Sequence, residues 1–182
     1  MNIIVKPKES NFCYCRPDTT WERENKDYYV PEKIDSVCWT PVMFARISKA
    51  GKCINPKYAS RYYDSFSFGA LLYAGEGETA YTSCTDHTSI LPSPLYNTIV
   101  MDGEGNECSM FRNGLAIFRG TPQKDLIEDA ICKASEMTSV RIGDYVACEL
   151  DIKRLLANRE EGRVRLEGKF CENCIYDFNI IF

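Results

Sequence analysis

The chain has 182 residues, of which 45% are hydrophobic and 26% charged, and its formal net charge is −4. This composition is typical of a globular domain with a sizeable core and excludes a disordered chain. The negative charge disfavours contact with a phosphate backbone, so we expect no nucleic-acid partner. No apolar run approaches the roughly 18 residues that span a bilayer, and no signal peptide is recognisable, so we expect a cytoplasmic protein outside the membrane.

Ten cysteines are many for this length. Without a secretion signal, the pattern favours reduced, mostly buried thiols that act as small hydrophobic side chains. The pairs Cys13/Cys15 and Cys171/Cys174 leave a four-thiolate zinc site open as an alternative. A redox role for the second pair is disfavoured, because redox C-x-x-C motifs begin a helix and this segment is predicted to be extended.

Three prolines punctuate the first 40 residues, and a fourth, Pro41, follows them directly. This pattern predicts an N-terminal arm, residues 1–40, packed on a single domain of residues 41–182. Burial of large aromatic side chains would anchor the arm, at Trp21, Tyr28, Tyr29 and Trp39. Arg16, Trp21 and the two tyrosines could instead form a ligand or partner surface.

Short apolar runs in the domain predict strands. Residues 41–47 predict one strand, and the run at residues 68–74 is continuous, which is typical of a strand buried on both faces. Further strands are expected at residues 95–101, 107–111, 115–119, 145–150 and 163–167, and in the alternating segment 174–182. Residues 102–106, which contain Asp-Gly, predict a hairpin turn.

One main helix is predicted at about residues 121–139. Thr121 suits the N-cap and Pro122 the first helical position. Apolar residues share one helical stripe: Leu126, Ile127, Ala130, Ile131 and Ala134. A short helical turn is expected at residues 152–156. Together the elements predict a β-rich α+β fold, in which one helix covers a curved mixed sheet or a barrel-like sheet.

From Pro41 to the end, these elements resemble the fumarylacetoacetate hydrolase superfamily. The resemblance lies in the order of PVMF (41–44), INP (54–56), DGE (102–104), RIGD (141–144) and the closing residues 168–175. It implies that superfamily's C-terminal catalytic-domain fold and a homodimer. It also implies hydrolysis, isomerisation or decarboxylation of keto acids, with Mg²⁺ or Ca²⁺ stabilising an enolate.

The metal-binding Glu-x-Glu of that superfamily is missing. The matching positions hold Phe66 and Phe68, or two serines with a one-residue shift, and neither pair suits a hard cation. The literal Glu76-Gly77-Glu78 follows the strand and predicts a solvated turn. The segment 79–91, where the family carries a third ligand and a catalytic lysine, is short. We therefore expect no metal ligands and no cofactor, with Mg²⁺ or Ca²⁺ only in a rebuilt site.

His87 is the only histidine, so any Ser-His-Asp or Cys-His mechanism must use it. With its neighbour Asp86 it forms the catalytic candidate, and an exposed loop histidine is the alternative. Asp64 and Asp86 could be remnant acidic ligands or turn residues.

Arg46 lies on an apolar strand where it could hold a carboxylate bidentately, or it could lie in water. Arg46, Phe66 and Phe68 are therefore the substrate-binding candidates.

Two functions remain open. The first is a divergent protein of the fumarylacetoacetate hydrolase type that binds a small keto acid in a cleft near Arg46, Phe66, Phe68 and His87. The second is a non-catalytic binding or assembly protein on the same fold, or a zinc protein. The missing carboxylates favour a protein without the metal-dependent carbon–carbon chemistry.

Overall fold

A computed structural model describes residues 1–75 and 80–182. These residues form fourteen strands and two α-helices, with four 3₁₀ segments between them. The strands are β1 (Ile3–Lys6), β2 (Tyr14–Arg16), β3 (Trp21–Glu22), β4 (Tyr28–Tyr29), β5 (Ser36–Ile47), β6 (Tyr63–Ala74), β7 (Ser89–Ile90), β8 (Tyr96–Asn97), β9 (Cys108–Arg112), β10 (Leu115–Gly120), β11 (Tyr145–Glu149), β12 (Arg154–Asn158), β13 (Arg163–Phe170) and β14 (Asn173–Ile181). The helices are α1 (Ala80–Ser83) and α2 (Lys124–Met137).

The larger sheet has nine strands and is strongly curled. Its main path runs β2-β1-β11-β5-β6-β7-β3, while β12 pairs with β5 and β8 pairs with β6. The two 12-residue strands at its centre, β5 and β6, are antiparallel and almost wholly buried. Their continuous apolar sequence fits this position, because both faces of the sheet are covered. The predicted β-rich α+β fold with a curved sheet and one main helix is confirmed.

The smaller sheet has five strands in the order β10-β9-β13-β14-β4. The main hydrophobic core includes residues of β5 and β6 together with residues of β9, β13 and β14. The predicted alternation in the last segment holds for Tyr176, Phe178 and Ile180, which are buried. Cys174 is exposed instead, because the β13–β14 register shifts between Gly168 and Lys169.

Helix α2 packs its apolar stripe into the same core, where Ile127, Ala130 and Ile131 are fully buried. The helix begins later than its sequence signals predicted. Thr121 and Pro122 precede it, and the N-cap is Gln123, whose backbone is extended and whose side chain makes no capping bond. The predicted helix is therefore confirmed, but it begins at Lys124 and not at Thr121 or Pro122.

Three local predictions are wrong. Only Tyr96–Asn97 of the expected strand at 95–101 is extended, because the Asn97 side chain accepts from the Ile99 amide and opens a 3₁₀ segment, Thr98–Asp102. Residues 102–106 do not close a hairpin, since β9 pairs with β10 and β13. The expected helical turn at 152–156 is strand β12, which pairs with the first residues of β5.

The first 40 residues contribute strands to both sheets. Strand β1 lies inside the larger sheet, parallel to β11, and Ile3, Ile4 and Val5 are fully buried there. Strand β2 covers the edge of β1, and β4 pairs with β14 of the smaller sheet. This arrangement places Tyr14 and Arg16 beside the end of β6.

Candidate functional site

An aromatic cluster fills the space between the two sheets at the positions that resemble the metal-binding segment. Phe66 and Phe68 on β6 and Phe170 on β13 are fully buried. The Phe170 ring centroid lies 5.8 Å from that of Phe66, 5.1 Å from that of Phe68 and 4.8 Å from that of Tyr96. Tilted and edge-on contacts at these distances are favourable beyond the burial of area. These residues therefore belong to the core and do not line an open cleft.

A divalent cation does not fit this donor set. Mg²⁺ and Ca²⁺ need several oxygen ligands, and phenylalanine offers none. Ser67 lies between the two phenylalanines on β6, and successive side chains of a strand point to opposite faces. Among the described residues, no three His, Cys, Asp or Glu side chains are grouped so that they could hold a metal ion. Glu76-Gly77-Glu78, predicted as a solvated turn, lies outside the described residues.

Arg46, the third substrate-binding candidate, lies away from the aromatic cluster. Its guanidinium Nη2 is 3.4 Å from Asp64 Oδ2, and the Ser65 hydroxyl donates to the other carboxylate oxygen of Asp64. Both partners of this ion pair are about half exposed, so water screens it strongly. Asp64 is thus the partner of an arginine on the surface.

His87 and Asp86 lie in the loop before β7, and both are exposed. His87 has a left-handed backbone with φ 59°. Its Nδ1 lies 2.9 Å from Oε2 of the buried Glu22, on the edge strand β3. The acid beside the histidine is therefore Glu22, which the sequence reasoning did not identify. A depression of about 600 Å³ next to it is lined by Asn25, Lys26, Asp27, Tyr29 and His87.

None of the ten cysteines forms a disulfide with another described residue. Four are buried, three are half-buried and three, including Cys15 and Cys174, are exposed, so the expectation of mostly buried thiols holds only in part. The pairs Cys13/Cys15 and Cys171/Cys174 do not come together in the zinc site that their spacing left open, since no three potential metal-ligating side chains are grouped in the described part of the chain.

Another cavity lies on the face of the larger sheet opposite to the aromatic cluster. Its volume is about 600 Å³, within the range of small-molecule sites. It opens between the end of β6, the end of β11, helix α1 and the segment that joins β1 to β2. Its lining residues are Pro7, Lys8, Glu9, Ser10, Tyr14, Cys15, Tyr73, Ala80, Thr82, Ser83, Cys84, Glu149, Ile152 and Lys153.

A chain of hydrogen bonds forms one wall of this cavity. The hydroxyls of Tyr14 and Tyr73 lie 2.8 Å apart, and the Tyr73 hydroxyl donates to Glu149 Oε1 at 2.5 Å. The backbone amide of Lys8 donates to Glu149 Oε2 at 3.0 Å. Glu149 is buried, and both of its carboxylate oxygens accept bonds from the protein. Donors fixed in this way stabilise a buried carboxylate.

Two cations flank the Tyr73 ring. The guanidinium carbon of Arg16 lies 4.5 Å from the ring centroid, and the Lys153 ammonium lies 5.3 Å from it. Arg16 is fully buried and donates to the Leu72 carbonyl and to Thr88 and Ser89. Burial raises the pKa of both Tyr73 and Tyr14 above the ordinary value of a phenol, so both hydroxyls stay protonated at neutral pH.

None of the catalytic or substrate-binding candidates predicted from the sequence lines this cavity, although Cys15 of the zinc alternative does. The alternation of β6 explains the separation: Phe66 and Phe68 face the main core, whereas Tyr73 faces the second, smaller core on the other side. The sequence did contain a signal for this site, because a polar side chain lies at or near the end of each of two buried strands, Tyr73 on β6 and Glu149 on β11. No local pattern indicated that the two strand ends lie close together.

The fold matches that of solved structures from the fumarylacetoacetate hydrolase superfamily, as the sequence resemblance implied. No protein-family model and no curated protein matches the sequence. Solved structures match its shape over the whole chain. The structure of fumarylpyruvate hydrolase from Pseudomonas aeruginosa in complex with Mn²⁺ and pyruvate superposes with a TM-score of 0.79 at 12% identity, covering 100% of this chain and 90% of that one.

Two further solved structures also superpose on this chain over nearly its whole length. A fumarylacetoacetate hydrolase family protein of Yersinia pestis CO92 matches with a TM-score of 0.78 at 14% identity, over 99% of this chain and 92% of that one. The 5-carboxymethyl-2-hydroxymuconate delta-isomerase from Mycobacterium smegmatis matches with a TM-score of 0.77 at 13% identity, over 99% and 78%. These neighbours include both hydrolases and isomerases, so the likeness identifies the fold and leaves the chemistry to the residues of this chain.

Proposed function

We propose that this chain is a divergent protein of the fumarylacetoacetate hydrolase type that lacks the metal-dependent carbon–carbon chemistry and acts by binding. The observation that carries the proposal is the cluster of Phe66, Phe68, Phe170 and Tyr96. An enolate that forms as a carbon–carbon bond breaks needs a nearby cation, and this space contains aromatic carbon instead. Burial of Phe66, Phe68 and Phe170 leaves no room there for a substrate.

The small keto acid expected as ligand fits a binding role without turnover. Arg46 supports such a role only weakly, because Asp64 already pairs with its guanidinium. We place the protein in a reducing compartment such as the cytoplasm as part of this proposal, since none of its cysteines forms a disulfide with another described residue. No helix among the described residues is long and apolar enough to cross a bilayer.

A turnover assay tests the proposal. Fumarylpyruvate is incubated with the full chain and excess Mn²⁺ or Mg²⁺, and its absorbance is followed. We expect the rate to equal that of the ions without protein. Metal-dependent loss of substrate that scales with protein concentration would contradict the proposal.

Assembly is a second candidate role, favoured by one exposed edge. Strand β10 ends the smaller sheet, and Leu115 on it is 73% exposed. Unpaired edge strands of this kind pair readily with a second chain, so we propose a homodimer through β10. Sedimentation of the wild type should show a dimer and that of Leu115→Lys a monomer, whereas a wild-type monomer would contradict this role.

A further inference from the structure

The cavity beside Tyr73 lies on the side of β6 that faces away from the aromatic cluster. Phe68 and Leu72 face the main core, whereas Leu71 and Tyr73 face the second, smaller core. A ligand bound at Tyr73 would therefore not contact the aromatic cluster. Binding in this cavity is thus independent of the proposed loss of metal chemistry.

The charges along the wall of the cavity balance one another. Lys8 and the buried Arg16 behind the Tyr73 ring are cationic, whereas Glu9 and Glu149 are acidic. A wall of this kind gives a charged ligand no net attraction, and burial of a charge costs far more than burial of a neutral polar group. We therefore expect an uncharged ligand.

Other polar side chains of the lining already have partners within the chain. Thr82 and Lys153 each interact with another group of the protein, so neither is counted as a binding group. The Ser83 hydroxyl donates to the Ala80 carbonyl at 2.9 Å. These contacts leave recognition of a ligand to the carboxylate of Glu149.

Glu149 is a buried acceptor whose capacity is only partly used. It is 7% exposed and lines the cavity. It accepts from the Tyr73 hydroxyl at 2.5 Å and from the Lys8 backbone amide at 3.0 Å, and both donors are neutral. A carboxylate offers about four acceptor positions, so about two are left for a ligand. A neutral ligand fills both only if it presents two neighbouring N–H or O–H donors.

The apolar part of the lining suits a flat ring. The Tyr14 ring and the side chains of Pro7 and Ile152 supply this surface, and aromatic faces stack well on planar unsaturated groups. The bond between the hydroxyls of Tyr14 and Tyr73, which lie 2.8 Å apart, holds the Tyr14 ring in place. We propose that this cavity binds a neutral planar heterocycle with two neighbouring N–H donors on one edge, the donor pattern of a guanine base. The donors bind the Glu149 carboxylate, and the ring lies against Tyr14.

Equilibrium dialysis of the reduced full chain in EDTA measures binding, and EDTA keeps the outcome independent of any metal site. Guanosine is the probe. Inosine is the control, because it has the same ring system and sugar but lacks the amino group, and so presents one donor in place of two. Brief treatment with iodoacetamide, followed by peptide mass spectrometry, locates the ligand. Cys15 and Cys84 line the cavity, whereas Cys53 is exposed and does not.

We expect guanosine to bind saturably and inosine to bind about tenfold more weakly, because a hydrogen bond to a charged acceptor is lost. Bound guanosine should slow the labelling of Cys15 and Cys84 and leave the rate at Cys53 unchanged. Glu149→Gln should weaken guanosine binding about tenfold or more, since the amide replaces one acceptor atom by a donor.

Ile152→Ala tests the apolar contact at a side chain that is 42% exposed, so its removal leaves the core intact. It should weaken guanosine binding about threefold, because apolar contact area with the ligand is lost. The matched control is Ile142→Ala, since Ile142 is 73% exposed and lies outside the cavity, and this change should leave binding unaltered. Circular dichroism shows that each variant remains folded. If Glu149→Gln unfolds, the comparison of guanosine with inosine on the wild type still decides the role of the donors.

Four outcomes would overturn the proposal. The first is the absence of saturable guanosine binding up to its solubility limit. The second is equal binding of guanosine and inosine, which would show that the paired donors play no part. The third is labelling of the two cavity thiols at an unchanged rate when guanosine is bound. The fourth is an equal effect of Ile152→Ala and Ile142→Ala, which would place the ligand outside this cavity.

Discussion

Phe68 on β6 and Phe170 on β13 join the two sheets, with ring centroids 5.1 Å apart. Both rings are fully buried, and Phe66 and Tyr96 pack around Phe170 in the same cluster. In the sequence resemblance, Phe66 and Phe68 stand at the positions of the metal-binding Glu-x-Glu. The side chains that we propose to stand in place of a metal site therefore also stabilise the contact between the sheets.

Phe170→Ala should lower the free energy of unfolding by about 3–5 kcal/mol, because it removes a buried ring and leaves a cavity. Urea unfolding followed by circular dichroism measures this change. Phe12→Ala is the control, since Phe12 is 80% exposed and its removal should change stability by less than about 0.5 kcal/mol. Equal effects of the two substitutions would contradict a core role for Phe170.

Tyr73→Phe should destabilise the protein by about 1–3 kcal/mol, because the buried Glu149 loses the donor to its Oε1. Tyr29→Phe removes a hydroxyl from a side chain that is 71% exposed and should have no measurable effect. Thermal unfolding of both variants at pH 7 gives the comparison. An unchanged melting temperature for Tyr73→Phe would show that Glu149 does not depend on this bond.

Tyr176→Phe should raise the stability of the protein, in contrast to Tyr73→Phe. Among the described residues, the Tyr176 hydroxyl is buried without a hydrogen-bond partner, and burial holds its pKa well above the ordinary value. Removing an unpaired buried hydroxyl should stabilise the protein by about 1 kcal/mol. Urea unfolding measures the gain. A loss of stability would indicate that this hydroxyl has a partner, such as a buried water molecule.

Asp27 links the arm to the last strand, since its Oδ1 accepts from the backbone amide and the side-chain amide of Asn179. These bonds lower the pKa of Asp27 in the folded state. The stability that they contribute is therefore present above the unfolded pKa of about 3.9 and is lost as the pH falls through the folded pKa.

Asp27→Asn should thus be less stable than the wild type at pH 7, by less than about 1 kcal/mol because water screens the site. The difference should vanish near pH 2. Chemical unfolding at both pH values measures it, and Glu104→Gln, which removes another exposed carboxylate, should show no such dependence. A difference that persists at pH 2 would contradict the assignment to the Asp27 charge.

The sequence predicts the strands with long apolar runs well, because burial on both faces of β5 and β6 leaves a clear pattern. It fails at residues 152–156, where the partner strand decides the structure. Residues of β12 are extended because they pair with the first residues of β5 in the sheet. The 3₁₀ segment after Asn97 was likewise missed, since a single side-chain cap outweighs the strand propensity.

The candidate site shows the same limit. The phenylalanines in place of Glu-x-Glu were visible in the sequence, and their alternation with Ser67 indicates that they share a face. The cavity at Tyr73 was not predictable, because Tyr14, Tyr73 and Glu149 come from three strands that are distant in sequence. The pairing of His87 with Glu22 depends in the same way on the parallel contact of β3 with β7.

Thermal unfolding with and without saturating Mg²⁺ or Mn²⁺ tests the central claim most directly. A native site filled at 100 times its dissociation constant would add about 2.7 kcal/mol, which is a rise of about 5–10 °C in melting temperature for a chain of this size. We expect no rise with either ion, because Phe66 and Phe68 supply no oxygen ligands. A saturable rise of that size would contradict the claim that aromatic side chains have replaced the metal site.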